Sequence, residues 1–436
     1  MKTMLVGLAG MLVLLASTAH ATEIFVSRST GSNGNDGTRE SPLKNIEKAL
    51  KKSEPGDAIR VAEGEYFGLR GKGYLESEHP VELYGGYAPD FSTRDVLAHP
   101  TLIRPTNESA AKSRKALLTF LKSKAGERIV VDGFIFDMGD RNSYHETDGK
   151  PEGVEAGMLL LPPSFNKTRG DKPTVTEQCI YIPAPASAGD VLVKNCAFLN
   201  GAKYAIQAGH KQGTFQVLNN IFVSNRMAAL EIYGTGGKKG PKGPTEKDGH
   251  VEIAHNTILF TWSRLKDFQD MGYGIRVMTK LSYDIHHNII GMNTLTGVDH
   301  TRFNKDDWLK IDDNIFFLNK QGDLMYSEPG QGQLERVWAS EFEDLEFESC
   351  ARNKDRPASA LPVNKAYLEG FLAARYTEEA DFDPDSPANV LREVMGLPKR
   401  GKLETTVSMF GNCYPLEDAL KLFGATSDVG AQKPAE

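Results

Sequence analysis

Five segments of this chain alternate apolar and polar residues in the same phase: VLVKNCAF (191–198), FQVLNNIF (215–222), VEIAHNTI (251–258), YDIHHNII (283–290) and LKIDDNIF (309–316). Aligned, their third position reads Val193, Val217, Ile253, Ile285 and Ile311, and their sixth reads Cys196, Asn220, Asn256, Asn288 and Asn314. Alternation with a period of two predicts strands with one buried face. A recurring Asn beside each apolar column predicts a turn, because Asn hydrogen-bonds nearby backbone and tolerates left-handed φ. Stacked coil on coil, such residues form a ladder.

The sixth positions are separated by 24, 36, 32 and 26 residues. A base period near 24 with loop insertions suits one turn of a right-handed β-helix rather than a propeller blade. A second set of strands aligns as well: YAIQA (204–208), AALEI (228–232), YGIRV (273–277) and TGVDH (296–300). Strands rich in Val, Ile and Asn look alike by chance, but chance does not align both sets in one order. The fold predicted is all-β, a right-handed parallel β-helix solenoid with an N-terminal helical cap and an irregular C-terminal cap.

Along the chain the sequence divides into a signal peptide (1–21), a β-helix (22–334) and a C-terminal capping region (335–436). Lys2, the apolar run Met4–Ala16 and the small-x-small site Ala19-His20-Ala21 form the secretory signal, and the expected location is periplasmic or secreted. Ser41 and Pro42 open a predicted helix over about 41–53, with Leu43, Ile46, Ala49 and Leu50 on its apolar face. An open solenoid end exposes core and strand edges, so this helix is expected to cap it. Insertions are expected at 138–176, 234–249 and 261–272. No later apolar run approaches the ~20 residues of a membrane helix, so membrane insertion is not expected.

The stretch from Gly37 to Tyr66 carries a resemblance. Gly37-Thr38, Ser41-Pro42, Ile46, Ala49-Leu50, Pro55-Gly56-Asp57, Ile59, Val61, Gly64 and Tyr66 fall in the order that opens many right-handed parallel β-helix proteins of the pectate-lyase-like superfamily. VELYGGYAPDFSTRD (81–95) resembles the next coil of those proteins, and the closing SDVGAQ (427–432) resembles their ending. The resemblance implies the fold and leaves function open, since lyases, hydrolases, epimerases, adhesins and tailspikes share it.

Composition narrows the partners. A net charge of −7 without a basic block argues against nucleic acid. Mean hydropathy of −0.39 with 42 glycines fits a soluble, turn-rich protein. Four cysteines in an exported chain permit a disulfide, and Cys350–Cys413 is the candidate pair. Cys196 occupies the ladder column and reads as a buried small residue. No cofactor motif is present, and no Cys/His metal spacing exists.

Candidate chemistry lies on the second set of strands. Ile206, Leu230, Ile275 and Val298 should face inward, so the residues after them should face outward. That column reads Gln207, Glu231, Arg276 and Asp299, with Tyr181 extending it upstream. Glu231 and Asp299 sit two coils apart, about 9.6 Å, on either side of Arg276. An exposed ion-pair ladder worth ~0–1 kcal/mol accounts for these charges. So does a polysaccharide groove, since inverting glycosidases hold two carboxylates ~6.5–9.5 Å apart, whereas an Arg between them suits a uronate or a lyase. Glu231, Arg276 and Asp299 are the candidate catalytic residues, and Tyr181, Gln207, Lys280, His300 and Arg302 the candidate substrate-binding ones. His255 and His287 share a turn column with Asn195, Asn219 and Asp313 and are expected to fill the turn; the sequence shows no third metal ligand beside them.

Set against enzymes of the superfamily, the chain lacks the polygalacturonase Gly-His-Gly with three aspartates and the Asp-Pro-His-Asp motif of mannuronan epimerases. It also lacks a pectate-lyase-like calcium cluster, since Arg276 would repel a cation there. The expected function is engagement of a polysaccharide, as a lyase or glycoside hydrolase, or as a non-catalytic envelope or surface solenoid that binds glycan or protein.

Overall fold

The computed structural model describes residues 21–67, 75–105, 116–139, 178–183, 188–201, 203–234, 239–240, 243–244, 247–262, 272–302, 308–327, 334–355, 361–375, 385–397, 399, 413–424 and 428–435. The signal segment through His20 and most of the three expected insertions lie outside these residues. Among the described residues the chain winds into a right-handed parallel β-helix with three long sheets. Sheet one runs from Glu23–Val26 to Leu309–Asp312 in nine strands, and sheet two from Gly64–Tyr66 to Ile315–Phe317 in eight. Sheet three runs from Leu75–Ser77 to Leu324–Tyr326, and the antiparallel strand Glu335–Val337 closes it.

One coil shows how sequence becomes architecture. Asp190–Lys194 lies in sheet one, Ala197–Leu199 in sheet two and Ile206–His210 in sheet three, and Thr214–Leu218 returns to sheet one. Each eight-residue repeat is therefore two strands joined at a sharp corner. The left-handed residues at that corner are Asn195, Asn219, His255, His287 and Asp313, with φ of 52–58°. This is one position earlier than the ladder Asn to which the sequence analysis gave the left-handed φ. A single left-handed residue turns the chain so that the following Asn points into the coil stack.

There the ladder forms. Asn220, Asn256, Asn288 and Asn314 are fully buried. Asn288 Nδ2 donates to the carbonyls of Ile253 (2.8 Å) and His286 (2.9 Å), and its Oδ1 accepts from the Asn256 N–H (2.9 Å). Asn256 and Asn314 repeat the pattern, and Asn353 continues the ladder one coil further by accepting from the Asn314 N–H. Cys196 accepts this arrangement at its upstream end, its N–H donating to Asn220 Oδ1 (2.9 Å). Beside the amides runs an apolar core in which Phe136, Phe198 and Phe222 stack with centroids 5.0 and 4.8 Å apart. That spacing is the strand separation itself.

Helix α1 spans Ile46–Lys52 and buries Ile46, Ala49 and Leu50 against the first strands. It starts later than Ser41 and Pro42 suggest. Leu43 is instead bonded to strand Glu23–Val26: its N–H donates to the Phe25 carbonyl and its carbonyl accepts from Ser27, both at 2.8 Å. Those backbone bonds hold Leu43 in a bridge to the strand and forbid helix there.

After the antiparallel closing strand, residues 349–354 form a rudimentary further coil through bridges to Lys310 and Ile315. Three helices follow, α2 (Lys365–Arg375), α3 (Pro387–Val394) and α4 (Leu416–Leu420). They lie along the outward face of sheet two rather than over the last coils. Leu368, Phe371, Leu391, Tyr414 and Leu422 pack on Leu199, Val223, Phe260 and Met292 in one core. The Cys350–Cys413 disulfide does not form. Cys350 belongs to the core inside the coils, while Cys413 adjoins Tyr414, whose N–H is bonded to Asn200 on the flank of sheet two.

Candidate functional site

Parallel pairing places Tyr181, Gln207, Glu231, Arg276 and Asp299 opposite one another in successive strands of sheet three. Thr119 precedes Tyr181 in this column and Met325 follows Asp299. Four of these side chains, Gln207, Glu231, Arg276 and Asp299, join with Gln178 into one hydrogen-bonded series. Gln178 donates to Gln207, and Gln207 Nε2 donates to Glu231 Oε1 (2.6 Å). Arg276 Nη1 donates to Glu231 Oε2 (3.1 Å) and its Nε to Asp299 Oδ2 (3.0 Å). The Thr301 N–H closes the series on Asp299 Oδ1 (3.1 Å).

Outward does not mean exposed here. The Arg276 side chain is 9% exposed and that of Asp299 0%. The exposed ion-pair ladder expected from the sequence is therefore a buried network. Part of the reason is aromatic: the Arg276 guanidinium lies 4.9 Å from the Tyr273 ring centroid, and Tyr273 and Tyr204 form a small outward apolar cluster with Met227, Leu295 and Met325. Burial by itself lowers the pKa of Arg276, but Asp299, Tyr273, Glu231 and Tyr204 together raise it above its usual value. Burial, and then the charge of Glu231, push the Tyr204 hydroxyl up. Arg276 is thus a fixed cation and Tyr204 a fixed hydroxyl donor at any ordinary pH.

The geometry removes one chemistry. An inverting pair needs a water between its carboxylates, and here the guanidinium fills that space. Two carboxylates also face one guanidinium, so the column carries no spare positive charge with which to grip a uronate.

The remaining sequence candidates scatter. Lys280 is buried in the turn after Tyr273–Val277, left-handed at φ 70°, with Nζ 3.4 Å from Asp248. His300 is buried beside the column, its ring parallel to Phe347 at 5.6 Å. Arg302 is exposed beyond the strand end. Neither Lys280 nor Arg302 enters the hydrogen-bonded series. Sequence reasoning missed Tyr204 and Tyr273 as parts of this site. The signal was present, since both are the first residues of aligned segments, YAIQA and YGIRV.

On the opposite corner, between sheets one and two, the structure joins His286, the chain neighbour of His287, to the aligned pair, a third ligand that the sequence analysis did not expect. His255, His286 and His287 gather with one ring nitrogen from each within 4.8 Å of the others.

A protein-family profile described as "Protein of unknown function (DUF1565)" matches residues 29–87. No curated protein sequence matches the chain significantly. Among solved structures the chain is similar to a rhamnogalacturonan lyase, at 9% identity over 75% of this chain and 89% of that one, with a TM-score of 0.37. It is similar to XylC, solved in complex with xylose, at 13% identity over 70% and 64% of the two chains (TM-score 0.36). A third is the GH136 lacto-N-biosidase from Eubacterium ramulus, at 11% identity over 77% and 68% (TM-score 0.28).

Proposed function

We propose that the protein engages a neutral polysaccharide along the outward face of sheet three, as an exported binding solenoid. The observation that carries this reading is a single column, polar from Thr119 to Asp299, whose members Gln207, Glu231, Arg276 and Asp299 are bonded in series across successive coils. A linear, preorganised row of donors and acceptors matches an extended polymer better than a compact ligand. Its half-buried members, Tyr181 and Gln207, are the ones a ligand reaches. A tyrosine ring offers a face to the apolar side of a sugar, and an amide offers both a donor and an acceptor to hydroxyls. Glu231, Arg276 and Asp299 then act as the rigid support that orients Gln207. Taking such charges out of water is costly, and apolar residues would stabilise the face as well or better, so the network favours a functional origin. Export to the periplasm or medium belongs to the same proposal and rests on residues 2–21.

The test is calorimetry against a panel of neutral and uronic glycans, with assays for reducing ends and unsaturated products run alongside. Binding of a neutral glycan that weakens about tenfold or more in Tyr181→Ala and in Gln207→Ala, with no product released, is the expected result. Equal affinity in the wild type and both variants would remove the site from this face. Product formation abolished by Glu231→Gln would replace a binding function with a hydrolase or lyase.

A further inference from the structure

We propose that His255, His286 and His287 form a binding site for one divalent transition-metal ion, with Zn2+ as the ion that fits the donor set. The site stands apart from the sheet-three column and does not depend on the reading given above. Three neutral imidazoles are the donor set of borderline-soft cations such as Zn2+, and a poor one for Mg2+ or Ca2+, which prefer oxygen.

The backbone explains how neighbouring residues converge. In a strand, successive side chains point to opposite faces. His286 is the last residue of Ser282–His286 and points outward, but His287 is left-handed at φ 54°. That single corner residue swings its side chain round to the side of His286, so that their Nδ1 atoms share a hydrogen bond of 3.0 Å. Two nitrogens on one tetrahedral ion with Zn–N of about 2.0–2.1 Å are separated by roughly 3.3 Å. His255 is the left-handed residue of the preceding coil, and its ring stacks on His287 with centroids 5.0 Å apart.

Turn filling accounts less well for these residues than it does for the same corner upstream. There the side chains pass hydrogen bonds along the column: Asn195 Nδ2 donates to Asp132, and Asn219 Nδ2 to Asn195 Oδ1 (2.7 Å). At His255 the series stops. Its Nδ1 is buried and has no hydrogen-bond partner among the described residues. An unpartnered buried ring nitrogen on one of three clustered imidazoles suits a metal ligand. Surrounding groups balance the charge: Glu252 Oε1 lies 3.5 Å from His286 Nε2, the Asp428 backbone is hydrogen-bonded to the His255 ring, and Asp313 interacts with His286 and His287.

The ion would sit where the C-terminal tail is fastened. The Gly430 N–H donates to the His287 carbonyl (2.7 Å), and Gln432 exchanges hydrogen bonds with Asn219. The site therefore couples the ion to docking of residues 428–432 on the corner.

The experiment uses the untagged full chain, stripped with a chelator and titrated with Zn2+ by calorimetry near neutral pH. His255→Asn and His286→Ala are the informative variants, because Asn219 and Ala254 already occupy those positions in neighbouring coils without harm. His99→Gln is the control, since His99 binds Glu63 far along the stack. One Zn2+ per chain is expected in the wild type and the control. Either variant should weaken it beyond the roughly 10–100-fold that mere outer-shell partners are worth. Zn2+ should also raise the thermal midpoint of the wild type and not of the variants. Co2+ bound to the wild type should give the intense visible spectrum of a tetrahedral site, a readout that needs no variant. Absence of Zn2+ binding, equal binding by the wild type and both variants, or equal affinity for Mg2+ would overturn the proposal.

Discussion

At Arg276 the cost of burial and the strength of pairing meet in one guanidinium. Read as an exposed charge, it should be removable with little effect on stability. Buried between Glu231 and Asp299, it should not, because truncation leaves two buried carboxylates without their counter-ion. Arg276→Ala should therefore lose about 3–5 kcal/mol in chemical denaturation; a loss below about 1 kcal/mol would return the column to a surface ladder. Asp323 offers a second residue-scale prediction. Burial pushes its carboxyl up to about 7, against hydrogen bonds from Asn319 Nδ2 and the Ala339 N–H that pull it down. A carboxyl whose folded pKa lies above its unfolded one holds its proton more tightly in the folded state. Its contribution is fully present below the unfolded pKa of about 3.9 and is lost as pH rises to about 7, by up to about 4 kcal/mol. Stability measured against pH should show this fall in the wild type, and the difference from Asp323→Asn should vanish below about pH 4.

At the scale of the element, the repeat is strand, corner, strand, and two residues with different tasks make the corner. The left-handed column sets the bend, and the Asn after it satisfies the carbonyls that the bend leaves buried. Replacing Asn288 with Ala removes hydrogen bonds to Ile253, His286 and Asn314 and leaves the Asn256 N–H unsatisfied. The expected loss is at least about 1–3 kcal/mol, read as a lower thermal midpoint; an unchanged midpoint would mean that water replaces the amide. The ladder was legible in the sequence because one residue type recurs in one column. Its shorter companion was less so: Asn293 Oδ1 accepts from Thr261 N–H and Asn319 Oδ1 from Asn293 N–H, both at 3.2 Å, at the next corner. There Asn225, Asn293 and Asn319 share one column five residues after the ladder, but Gly201 and Thr261 interrupt it, so the repeat shows less clearly. Helix α1 was legible in its apolar face and misjudged at its start, because Ser41-Pro42 is a local signal and the pairing of Leu43 with Phe25 is not.

For the molecule as a whole, the C-terminal helices matter most to how the stack is sheathed. Phe371 is fully buried, 4.9 Å from the Phe260 ring, and packs in the core that α2 to α4 share with sheet two. Phe371→Ala should cost about 3–5 kcal/mol. Hydrogen exchange should show helices α2 to α4 losing protection first while the coil strands keep theirs, since solenoid and flank meet through one apolar layer. Loss of protection throughout the coils at once would mean that the flank and the stack unfold together.

The sequence by itself determined the coil, its period, the inward apolar columns and the order of side chains along sheet three. Those properties follow from residue alternation and recurrence, which are local and survive in a linear string. Only the tertiary structure decided what those columns experience. Whether an outward residue is wet or buried depends on tyrosines three positions before the column, Tyr204 and Tyr273, and on neighbouring coils, as Asp299 and Arg276 show. Whether three histidines meet depends on a single left-handed φ at His287. Which face helices α2 to α4 cover depends on an apolar surface on sheet two, whose three-residue strands are too short for alternation to announce.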